Sequence, residues 1–174
     1  MKKMILIGAI LVLALAGTSL MGQATTGTAT GGAKVNAVLT VTNNSDINFG
    51  SIQATSTPVL DPQGTSTADV GSTNTFGKFT LNGTNGATIV LTYDATASLG
   101  NGAAGSMTFT ADVASNTADA IGTSTDRASG AAFALDGTSG NVFVYVGGNL
   151  GGLTTQEVGT YTTASPWGLS VEYQ

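Results

Sequence analysis

Apolar and polar residues alternate with period two in several separate stretches of the chain. Val35, Ala37, Leu39 and Val41 fall on one face, with Asn36 and Thr40 on the other. Ile89, Leu91 and Tyr93 oppose Thr88, Val90 and Thr92. Met107, Phe109, Ala111 and Val113 oppose Thr108, Thr110 and Asp112. Phe133 and Leu135 form a shorter pair, and Leu169, Val171 and Tyr173 oppose Ser170 and Glu172. Such alternation predicts strands with one buried and one solvated face. Val142-Phe143-Val144-Tyr145-Val146 is apolar at every position. It predicts a central strand covered on both sides. The i, i+3, i+4, i+7 pattern of an amphipathic helix is missing, and frequent Thr suits a pleated sheet.

Turn residues separate these runs. Asn82-Gly83, Asn85-Gly86, Asn101-Gly102 and Asp136-Gly137 suit tight hairpins, because these residues accept positive φ. Gly147-Gly148-Asn149 and Gly151-Gly152 read as further turns. Residues 53–75 and 114–130, rich in Thr, Ser, Ala and Asp, read as long loops. Many short strands with Gly turns predict an antiparallel all-β sandwich or barrel of about seven to nine strands.

The N-terminus reads as an address. Met1-Lys2-Lys3 is a positive start, Met4 to Ala16 is apolar or Gly throughout, and small residues lead to Ala24. This predicts a signal peptide over residues 1–24, cleaved after Ala24. The apolar run is shorter than the roughly 20 residues of a membrane span, so no span is expected after cleavage. Residues 25–34 then form an N-terminal arm, a possible strand donor, and residues 35–174 a single β-sandwich domain.

Composition narrows the chemistry. The chain has 25 Gly, no His and no Cys. No disulfide, Cys–zinc site, thiol nucleophile or His-based triad is available. Without the leader, ten acids face three cations, Lys34, Lys78 and Arg127, a formal charge of −7. Three cations form no basic patch, so nucleic acid is not an expected partner. The acids are scattered beside turn residues. Asp136 to Asn141 and Asp119 to Asp126 read as turns rather than cation loops. Trp167 reads as core or edge packing rather than a sugar platform. The expectation is therefore a non-enzyme with no catalytic, cofactor-binding or metal-binding residues and no cofactor.

Three segments, in order, carry a family resemblance. They are Asp46-Ile47-Asn48-Phe49-Gly50-Ser51-Ile52, then Phe76-Gly77-Lys78-Phe79-Thr80-Leu81-Asn82-Gly83 followed by Thr88 to Tyr93. The third is Val146 to Leu150 with Gly159-Thr160-Tyr161 and Leu169 to Tyr173. The chain resembles the bacterial domain-of-unknown-function family 4402. More distantly it is similar to spore-coat protein U domains and chaperone–usher fimbrial subunits. The resemblance implies an immunoglobulin-like, pilin-like β-sandwich, exported to the cell surface. It also implies a structural subunit that self-associates into a filament or coat by β-strand exchange, with a periplasmic chaperone as partner. Val35 to Val41 would be either the donor or the domain's own first strand. The alternative is a monomeric secreted binding module for glycan or ice, built on outward Thr-x-Thr rows.

Overall fold

The computed structural model describes residues 32–102, 105–151, 153, 156–163 and 167–174. The leader expected over residues 1–24, and residues 25–31 of the arm, lie outside the described residues. Val35–Gln174 forms one compact unit. Its strands are β1 (Thr40–Ser45), β2 (Val59–Leu60), β3 (Gly77–Asn82), β4 (Thr88–Tyr93), β5 (Thr96–Gly100) and β6 (Ser106–Asn116). They continue with β7 (Thr125–Asp126), β8 (Ala131–Ala134), β9 (Asn141–Gly151), β10 (Thr162–Thr163) and β11 (Leu169–Tyr173). Eight of these have four or more residues, and every pairing is antiparallel.

Two sheets form an all-β sandwich. The larger has the order β1-β3-β9-β6-β5-β10, with β2 also on β9 and β7 also on β6; the smaller is β11-β4-β8. The alternating residues behave as their period requires. Ile89 and Leu91 of β4, Val113 of β6, and Val142, Val144 and Val146 of β9 point inward and are at most 1% exposed. With Leu60, Leu81 and Leu135 they make the core. Each such side chain contributes roughly 1.5–3 kcal/mol when removed from water. Tyr145 is also buried, on the outer face of β9, so the central strand is covered on both sides as its sequence predicts.

Three local expectations change. The first strand begins at Thr40 rather than Val35. Val35 and Val38 are 93% and 82% exposed, and residues 35–39 lie outside any ladder. Side chains hold this stretch instead. The Ala37 N–H donates to Thr84 Oγ1 (2.6 Å), and the Tyr173 hydroxyl donates to the Ala37 carbonyl (2.9 Å). Second, Gly147 and Gly148 are not a turn but lie inside β9. A Cβ on Gly147 would collide with the Leu60 carbonyl, and Gly148 has φ +143° with the Thr110 carbonyl against it. Glycine lets the strap Pro58–Pro62 cross the strand there. Third, the expected loop 114–130 begins only after Asn116 and contains β7, and the expected loop 53–75 contains β2.

Candidate functional site: an apolar groove between unequal sheets

Strand length decides where the sandwich closes. β6 and β9 have 11 residues each, roughly 36 Å, whereas β4 has six and β11 five, roughly 17–20 Å. The small sheet therefore covers one half of the large sheet. The ladder register says which half. Asn82 pairs with Asn141, and Phe143 with Asn116. At that end lie Thr84, Thr88 and Tyr173, which bond one another's neighbourhood through Thr84 N to Tyr173 Oη (2.7 Å) and Gln174 N to the Thr88 carbonyl (3.1 Å).

Over the other half no strand of the small sheet lies. Residues 46–54 and 156–163, which are largely irregular, border it instead, leaving a groove of about 1080 Å³. Its floor is apolar: Phe79 of β3, Leu99 of β5, Met107 and Phe109 of β6, and Val146 and Leu150 of β9. The first wall is pinned by Phe49, whose ring meets Phe109 edge-on at 6.1 Å. Asn48 and Thr75 exchange backbone hydrogen bonds (2.9 and 2.8 Å), and the Gly71 N–H donates to the Phe49 carbonyl (2.8 Å). Gly50, at φ +70°, and Gly71 pass so closely that a Cβ on either would strike backbone. Trp167 completes the lining, stacked in tilted contact with Phe79 (6.2 Å) and Tyr93 (5.8 Å). Its indole N–H donates to the Asp94 carbonyl (2.6 Å). Trp167 is thus a packing residue, as its sequence context predicts.

Asp46 and Glu157 line the groove. Asp61 is 4% exposed. Burial works to raise its pKa, but donors from Thr65, Gln63 and Ser66 outweigh burial and bring it down to about 2. Asp136 is held low by the Ser139 and Thr138 donors of its own turn, and Asp119 by its 2.6 Å pair with Lys78. Burial, and then the charges of Asp126 and Asp61, push Asp112 up. Tyr145 is pushed up by burial and by its hydrogen bond to Asp119. Each of these has a structural cause. Among the described residues no group of three or more His, Cys, Asp or Glu could hold a metal ion. The groove offers shape and apolar surface.

The Thr rows form only a small array. Thr96 lies opposite Thr110 and Ser98 opposite Thr108, all four exposed. Ser106 and Thr162, both exposed, flank Gly100 on the same face, while on the β9 side the neighbours are Asn149 and Gly151, so the rows end there.

The groove residues were not identifiable as a site from sequence. The one signal was the segment 46–52, now seen as a groove wall with Ile47, Phe49 and Ile52 packed on the core. A family model described as a domain of unknown function (DUF4402) matches residues 39–173. No curated protein and no solved structure matches the chain.

Proposed function

The chain belongs to the DUF4402 family, and from that premise we propose that it is an exported structural subunit that self-associates on the cell surface by β-strand exchange. The observation that carries this reading is the unequal sandwich. Half of the large sheet's inner face has no strand of the small sheet over it, and an apolar groove of about 1080 Å³ runs there. An extended segment with apolar side chains at every second position suits such a groove. A groove of this kind also invites unwanted pairing before assembly, which is the role proposed for a periplasmic chaperone. The leader read over residues 1–24 supplies the export.

The test is negative-stain microscopy of the exported protein, with Leu99→Lys as the comparison. Leu99 is half-buried on the groove floor, so a lysine there blocks an incoming apolar strand while its head reaches water. The expected result is filaments or sheets of regular width from the wild type and none from the variant. A wild type that stays monomeric at high concentration overturns the proposal.

A further inference from the structure

Sheet edges expose unpaired N–H and C=O groups and so accept strands from other chains. Most open edges among the described strands are guarded. β2, β7 and β10 have two residues each and β8 has four; β11 carries Glu172, and β10 covers Leu99 and Gly100 of β5. β1 differs. Among the described residues it pairs only with β3, and all six of its residues are exposed. From Val35 to Ser45 there is no charged residue and no proline, two of the devices that usually protect an edge, and the one irregularity is a bulge between Asn43 and Ser45. Four large apolar side chains are exposed among the described residues. Three of them, Val35, Val38 and Val41, lie on this stretch. Ala37 turns both its N–H and its carbonyl toward the domain, to Thr84 and Tyr173. In an extended chain the neighbouring peptide groups, those of Asn36 and Val38, then face the open side.

Charge selects the partner and the register. The uncharged run is bounded by Lys34 at one end and Asp46 at the other. Two copies aligned antiparallel about Thr40 bring the Lys34 end of each strip to the Asp46 end of the other, past the bulge between Asn43 and Ser45. A parallel alignment sets like charges together. A second copy also carries the same net negative charge, so the uncharged strip is where it approaches at least cost. We infer that the β1 edge pairs with the β1 edge of a second copy, antiparallel about Thr40. This joins two eight-stranded sheets into one across a two-fold axis. The contact uses a sheet edge and not the groove, so it is separate from strand exchange.

The chain has no cysteine, which makes a single introduced thiol an unambiguous reporter. Directly opposed residues have Cα atoms about 5.5 Å apart or less, within disulfide range. Thr40→Cys should therefore form a covalent dimer under mild oxidation. Val35→Cys should not, because its position lies opposite residue 45, roughly 33 Å from its own copy. Lys34→Glu and Asp46→Lys should each weaken the dimer by about five- to tenfold in sedimentation, and the two together should restore it. Equal cross-linking at 35 and 40, no restoration by the double exchange, or a wild type that never dimerises overturns the inference. Leu99→Lys separates the two contacts: it should abolish filaments and leave the Thr40→Cys cross-link intact. Loss of that cross-link in the Leu99→Lys background would show that the two contacts are one, and would also overturn the inference.

Discussion

The two halves of this sandwich are built from the same long strands but closed by different means. At one end β4, β8 and β11 lie over the large sheet, and Ile89, Leu91, Leu135, Val142 and Val144 are sealed between regular ladders. At the other end β6 and β9 run on beyond the small sheet. There Phe79 and Leu99 stay half-buried on a groove floor whose other members, Met107, Phe109, Val146 and Leu150, are buried under irregular segments tied down at Phe49, Gly50 and Gly71. Strand pairing satisfies backbone groups and apolar faces together, whereas an irregular wall needs a separate device for each. The closed half therefore reads as the source of stability and the open half as the more easily opened part.

Mutations can test this division. The largest effect is expected from Val171→Asp, which puts an unpaired charge on the inward side of β11 opposite Leu91. It should lower stability by more than about 3 kcal/mol in denaturant unfolding; near wild-type melting would mean that β11 faces the other way. Leu91→Ala should cost about 3 kcal/mol, because the site is fully buried, against roughly 1 kcal/mol for Leu99→Ala on the groove floor. Equal losses would erase the distinction between the halves.

Acid acts on the strap beside β9. The Asp61 carboxyl is held at about 2, below its ordinary 3.8. A depressed folded pKa contributes stability that is complete above the unfolded value and lost as pH falls through the folded one. About 2 kcal/mol should disappear between roughly pH 4 and pH 2, and Asp61→Asn should flatten that part of the profile. The smallest change is Tyr173→Phe. It removes the hydroxyl that binds the Ala37 carbonyl and the Thr84 amide, at a cost of about 1 kcal/mol. Hydrogen exchange should quicken at residues 36–45 and stay unchanged in β4; a uniform change would deny residues 36–45 their independence.

Much of the closed half was legible in the sequence, because there each residue's face follows from period two. β4 and β11 have the limits their alternation suggests, and VFVYV does lie at the centre. Elsewhere the local pattern was overridden by contacts distant in sequence. Val35 to Leu39 alternates like a strand, yet Thr84 and Tyr173 capture it before any ladder forms. Gly147-Gly148 looks like a turn, but its glycines are required by a strap some ninety residues earlier. The groove was illegible for a further reason. It arises from a mismatch in strand lengths between two sheets, which no single stretch of sequence records.

The Tyr173 hydroxyl and the Ala37 carbonyl are separated by 136 residues. Contacts of such long range form late, since the closing of the intervening chain must come first. During synthesis at about 5–20 residues per second, several seconds pass between the appearance of Ala37 and that of its partner. Residues 35–39, just ahead of the first strand, thus spend their early life without the bond that later holds them. In that interval its peptide groups lack the partner that later ties them to the domain, and the appearance of Tyr173 sets when the interval closes.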